Sequence, residues 1–311
     1  MYELEYCNNP EVGALHSSGR RLEQTIGQEF DSKLKDLDKF IFLVDMHTII
    51  ESCAKDLVSV SITDFDEFWR INKLLLNFVN AVYSYKEYVN SYDPPLKAIT
   101  EKYYNMKKWY RFICDFRNYI VHQSIIIKDY RPFDKDIFIN IDEVIELLGA
   151  YKYPKDWQKR NAQEFQSWLD ALKGDAVEIK EDHYLSMKNI TALVSKEMGD
   201  MKDEVLLYAY NKGVKPALEW MLDYCPIING RYQYAFIIDK KIGPDSVREP
   251  NYAFEDFVRR MVKTLGTDST ILSELITFLQ NKNYNYFYDG YCTLEDFIES
   301  AKNTPNTGTH C

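Results

Sequence analysis

The sequence is poor in the residues that interrupt regular structure. Only 12 glycines and 10 prolines punctuate 311 residues, which argues against disorder and against a loop-rich all-β fold. The six cysteines, at positions 7, 53, 114, 225, 292 and 311, are scattered and form no Cys-x-x-Cys pair. That spacing excludes a zinc ribbon and a disulfide framework, and it fits reduced thiols in a cytoplasm. No run of 18 apolar residues occurs, so no membrane span is expected. The opening Met1-Tyr2-Glu3-Leu4-Glu5-Tyr6 has neither a basic nor an apolar signal-peptide region, so no secretory signal is expected either. Phosphate-binding loops, dinucleotide glycine patterns and a Gly-x-Ser-x-Gly elbow are absent, which removes the ATPase, Rossmann dehydrogenase and α/β-hydrolase readings.

What is present is apolar and aromatic. At 46% hydrophobic, with 24 Tyr and 17 Phe, the chain has ample material for a core. The net charge of −10 speaks against coating of nucleic acid by the whole surface. The charge is uneven, however. From Lys102 to Lys135, eight basic side chains face three acids, a local +5 in an acidic protein.

Spacings of three and four (Ile26, Phe30, Leu34, Leu37, Ile41, Val44) predict a long helix over Leu22 to Leu57. Asp64 with Glu67 resembles a capping box that opens a second helix, running through Phe68 and Tyr85 and ending before Pro94-Pro95. A third follows the prolines and reaches His122 without interruption. Ser124 to Ile127 and Asp136 to Ile141 predict a hairpin around Arg131-Pro132. Helices are expected at 142–150, 155–173, 183–211, from Pro216, and at 253–265, 269–281 and 293–302, with a strand at 231–239. The polar stretch 174–181 is the expected linker. The expected domains are a flexible lead-in (1–20), a helical domain with a small hairpin (21–145), a second mostly helical domain of unassigned role (146–302) and a disordered tail (303–311).

The chemical signature is Arg117-Asn118-Tyr119-Ile120-Val121-His122. It puts a permanent cation, an amide and a side chain that titrates near neutrality on one helix. Those groups can cleave a phosphodiester without a metal, with an acid or base to move protons and a cation for the crowded phosphate. Positions five apart on a helix differ by roughly 140° and 7.5 Å, so Arg117 and His122 do not share a face, whereas Asn118 and His122 do. Two copies packed helix to helix can close both groups around one phosphate, which makes a homodimer the expected form. Lys107, Lys108 and Arg111, one to three turns upstream, are candidate RNA contacts.

The motif and the helix order around it, with Leu74-Leu75-Leu76-Asn77-Phe78 on the second helix, resemble the HEPN superfamily over residues 20 to 145. The resemblance implies a dimerising helical bundle and a metal-independent endoribonuclease, used in toxin–antitoxin or phage-defence systems. Arg117, Asn118 and His122 would be its catalytic residues, RNA its substrate and a separate antitoxin chain a partner, with no metal and no cofactor. Other members bind or scaffold without cutting, and in that alternative Arg117 and His122 tie the helix end to the following hairpin. His47 fits a half-buried packing role, while His16, His183 and His310 are expected in loops or the tail and have no metal-spaced partners. The aromatic run from Tyr284 to Tyr291 fits a seam against the last helix better than a base-stacking surface.

Overall fold

The computed structural model describes residues 2–7, 16–60, 68–122, 129–131, 136–151, 162–179, 181–228, 231–242, 246–266, 269–284 and 293–303. In chain order it contains β1 (Tyr2–Cys7), β2 (His16–Leu22), α1 (Ile26–Ser59), α2 (Phe68–Tyr92), α3 (Pro94–Met106), α4 (Lys108–His122), β3 (Asp129–Arg131), β4 (Asp136–Asn140), α5 (Ile141–Tyr151) and α6 (Ala162–Gly174). There follow β5 (Val177–Ile179), β6 (Asp182–Ser186), α7 (Met187–Ala209), a π-helical turn (Tyr210–Val214), α8 (Lys215–Asp223), β7 (Ile227–Ile228), β8 (Arg231–Tyr232), β9 (Tyr234–Asp239), α9 (Pro250–Thr264), α10 (Thr270–Asn281) and α11 (Leu294–Asn303). The protein is mainly helical, with small antiparallel sheets. No described helix is long and apolar enough to cross a membrane.

Contacts divide the chain into two units, Met1–Val44 with Leu206–Cys311 (unit 1) and Asp45–Val205 (unit 2). This differs from the sequential division at 20, 145 and 302, because the two ends of the chain belong to the same unit.

Unit 2 is built on α2. Its Ile71, Leu75, Phe78, Val82, Tyr85 and Val89 recur at three or four and are fully buried. α3 and α4 pack against it. Asp93, held extended before Pro94 as a pre-proline residue prefers, separates α2 from α3, whose first turn takes the prolines. The expected single helix from the prolines to His122 is instead two, broken at Lys107 (φ −107, ψ 107). The break exposes the unpaired N–H groups that open α4, and Glu197 from α7 accepts from the Tyr110 amide at 2.8 Å. A carboxylate some ninety residues away on the chain thus satisfies a helix start that local spacing does not reveal.

The polar stretch expected as a linker is a hairpin. β5 pairs with β6 through a turn in which Glu181 takes a positive φ of 75°, and the sheet order is β3-β4-β6-β5. β5 is an edge strand, where polar side chains are the rule. Because Asp182–Ser186 pairs with β4, the helix expected from 183 starts at Met187. A hairpin follows α4 as β3 and β4, with the expected second strand but with Arg131, expected in the turn, as the last residue of β3; the expected first strand, Ser124 to Ile127, like Asp64 and Glu67, lies outside the described residues.

Unit 1 corrects the expectation of a flexible lead-in. β1 is the middle strand of a sheet ordered β2-β1-β9, with Leu4 buried between Glu3 and Glu5. Above the sheet, Asn251 at the start of α9 is a buried hub. Its side-chain oxygen accepts from the Ala235 amide (2.9 Å) and the Cys225 thiol (3.1 Å), and its amide donates to Tyr284 Oη (3.3 Å). Tyr284 in turn donates to Glu255 at 2.9 Å and packs on Phe254; the rest of that aromatic run lies outside the described residues. Burial pushes the Cys225 thiol well above its ordinary range, so this cysteine is a structural donor. Thr293 opens α11 as expected, accepting from the Asp296 amide at 3.1 Å.

Candidate functional site

α4 carries every residue singled out for chemistry except Lys107, which stands at its N-cap. The first half of the helix is buried on every side: Trp109 through Asp115 are all buried, and Phe112 stacks on Phe116 at 5.1 Å. Its phase along the bundle is therefore fixed by packing, and each polar side chain has a defined place.

The three candidate RNA contacts are engaged inside unit 2. Lys107 Nζ lies 3.2 Å from Asp200, and Lys108 pairs with Asp175. Arg111 is only 3% exposed; its guanidinium lies 4.6 Å over the Trp168 ring and 5.5 Å from that of Tyr104, with Nη1 3.9 Å from Glu164. Upstream, Lys102 pairs with Glu204 at 2.8 Å. Four cations of the local positive run, Lys102, Lys107, Lys108 and Arg111, are thus met by acids from α6, α7 and the turn after α6. Glu197 sits among them. Burial pushes its carboxyl above the ordinary range, against the opposing pull of the Tyr110 amide and of Lys107 and Lys108.

Arg117 is half-buried, with its guanidinium 4.5 Å over the ring of Tyr83 on α2. The cation–π contact holds a permanent charge near the C-terminal end of α4. Burial raises the Tyr83 phenol, with Glu87 adding to the shift and Arg117 opposing it. Asn118 and His122 lie on the α4 backbone, one turn apart, His122 as the last residue of the helix; their side chains are outside the described residues.

The other histidines sort differently. His47 on α1 is buried rather than half-buried, at 2% exposure, with Nδ1 3.0 Å from Glu51 and its ring edge-on to Tyr85. His183 lies in β6, not in a loop, and its Nδ1 is 2.7 Å from Asp142, which also accepts from Lys173 at 2.8 Å. Burial pushes the Asp142 carboxyl up, but those two partners outweigh it and hold it below its ordinary value. These pairs were not anticipated, because their members lie on different elements or were read as packing. His16 falls in β2 and His310 outside the described residues. Among the described residues no group of three His, Cys, Asp or Glu is placed to hold a metal ion.

Compared with known proteins, the chain matches no family model, no curated protein and no solved structure.

Proposed function

We propose that the C-terminal half of α4 is the centre of a metal-independent endoribonuclease of HEPN type. The observation that carries this reading is the Arg117 guanidinium on the Tyr83 ring, a cation positioned by packing on the same helix end as His122. His122 takes the proton of an RNA 2′-hydroxyl, the 2′-oxygen forms a bond to phosphorus, and the bond from phosphorus to the 5′-oxygen breaks. A proton delivered to that oxygen completes the step, leaving a 2′,3′-cyclic phosphate and a 5′-hydroxyl. Arg117 stabilises the charge that builds on the phosphate, and Asn118 orients phosphate or imidazole. A homodimer brings two such helix ends together, and a separate antitoxin chain restrains the activity in a cytoplasmic toxin–antitoxin or phage-defence setting. Lys107, Lys108 and Arg111 belong to the framework in this scheme rather than to the RNA contact.

The test is cleavage of RNA by purified protein in EDTA. Wild type should give cyclic-phosphate ends, and His122→Ala should lose about 10²–10⁴ in rate with an unchanged melting midpoint. Equal cutting of DNA, which lacks the nucleophile, sinks the scheme.

A second reading is a non-catalytic interaction module. It is favoured by the same ion pairs that engage Lys107, Lys108 and Arg111 within the fold. Under it no RNA is cut, and His122→Ala changes only stability.

A further inference from the structure

Within unit 1 lies a cavity of about 670 Å³, inside the range of roughly 300–1,000 Å³ usual for small-molecule sites. Its floor is apolar. Phe30, Leu37 and Ile41 on one face of α1 and Phe257 on α9 line it, and all four are buried. Ala253, one turn before Phe257, leaves the room. One wall is the segment Ser246–Glu249. Arg248 and Ile237 of β9 exchange backbone hydrogen bonds at 2.9 and 3.0 Å, and Ser246 Oγ accepts from the Asp239 amide at 3.0 Å. The wall is therefore stitched to a sheet and stands ready without rearrangement.

The charges around the cavity are lopsided. Asp31, Asp38, Glu249 and Asp256 line it against one cation, Arg248. Arg248 is engaged by Asp31 through Nε and Nη2 at 3.0 and 3.1 Å, and Glu249 accepts from Tyr234 Oη at 3.0 Å. Asp38 on α1 and Asp256 on α9 are left, and among the described residues neither has a hydrogen-bond or ion-pair partner. Beside them Tyr252 and Ile242 are 53% and 63% exposed, large apolar groups at the rim. A neutral apolar occupant would leave those exposed carboxylates without a counter-charge, and an anion would meet a rim of its own sign. A cation on an apolar body satisfies floor and rim together, with the Tyr252 ring as an added cation–π face.

We propose that this cavity binds a small organic ammonium compound, its apolar part on the Phe30–Ile41–Phe257 floor and its charge at Asp38 and Asp256. The site is independent of the α4 chemistry. Ligand-observed NMR titration of the full chain with phenethylammonium, against phenylacetate as the anionic counterpart, tests it. Phenethylammonium should bind at least tenfold tighter, and the Asp38→Asn, Asp256→Asn double variant should lose at least tenfold at an unchanged melting midpoint. Ala253→Phe, which fills the space, should abolish binding of either probe. Equal affinity for the two probes, no phenethylammonium binding at millimolar concentration, or undiminished affinity in the folded double variant overturns the proposal. The double variant replaces only exposed groups, so the test survives if Ala253→Phe does not fold.

Discussion

At the start of α4, three of the cations that crowd the sequence meet acids from a distant part of the chain: Lys107 meets Asp200, Lys108 meets Asp175, and Arg111 lies under Trp168 beside Glu164. Around the cavity of unit 1 the reverse holds. Asp38 and Asp256, unremarkable in a chain of 48 acids, come to rest at one apolar opening with no described partner. A run of like charge in a sequence is therefore poor evidence of a charged surface. What counts is which charges the fold leaves without a counter-charge, and that depends on elements far apart in the chain.

The largest effect expected from breaking this contrast is in catalysis. If the engaged cations are framework, Lys107→Ala and Lys108→Ala should leave RNA cleavage within about twofold of wild type, since exposed pairs of this kind contribute at most about 1 kcal/mol to stability. His122→Ala should cost about 10²–10⁴. Cleavage assays on the three variants side by side decide it. A loss at Lys107 as large as that at His122 would return the upstream cations to the RNA-binding face.

Next in size is Arg111. Its guanidinium is buried against two aromatic rings, so removing it loses packing as well as charge. Arg111→Ala should destabilise unit 2 by about 2–3 kcal/mol in denaturant unfolding. A variant as stable as wild type would mean that the burial of Arg111 contributes nothing, and the framework assignment would fail for its best case.

Glu51 gives a smaller and pH-dependent effect. The hydrogen bond to His47 holds its carboxyl at about 2, below the ordinary 4.5; burial opposes this, and the charges of His47 and Lys202 assist. A depressed carboxylate contributes stability above about pH 4.5 and loses it as pH falls toward 2. The group is more than half exposed, so the contribution at neutrality is discounted to about 1 kcal/mol or less. Glu51→Gln should melt below wild type at pH 7, and the two melting curves should converge as the pH is lowered from 4.5 toward 2. A gap that stays constant through that range would show that the partnership is not electrostatic.

The same contrast explains what could be read from the sequence. α1 and α2 were legible because a spacing of three and four is a local signal that burial on one face obeys, and the end of α2 was legible because Pro94-Pro95 constrain Asp93. The break at Lys107 was not, since its stabilising partner Glu197 lies on α7. β1 carried a readable signal that the turn residues around it masked: Tyr2, Leu4 and Tyr6 alternate with Glu3 and Glu5, the period of a strand with one buried face. In the candidate site, Arg117 was legible as a cation on α4, but Tyr83 beneath it was not. Asp31 and Asp38 repeat at seven on α1 and could be read as one stripe. Nothing local says that Asp256 and Ala253 of α9 close the other side.

The smallest effect tests the one ion pair that distinguishes Asp31 from its neighbours. Gly27 lies under that pair: a Cβ built there would stand 2.7 Å from Tyr2 Oη and 3.1 Å from Arg248 Cζ. Both atoms are ends of flexible side chains and can give way, and alanine is favoured over glycine inside a helix by about 1 kcal/mol. Gly27→Ala should therefore change stability little, while pushing the Arg248 guanidinium off Asp31. The cavity would then present a third carboxylate without its counter-charge. Phenethylammonium affinity should rise about two- to fourfold, the scale of one exposed ion pair, and the gain should vanish in 0.5 M salt, where the Debye length is only about 4–5 Å. A fall in affinity would mean that Arg248 shapes the apolar floor more than it screens the rim, and the division between engaged and unengaged charge would not be what tunes this site.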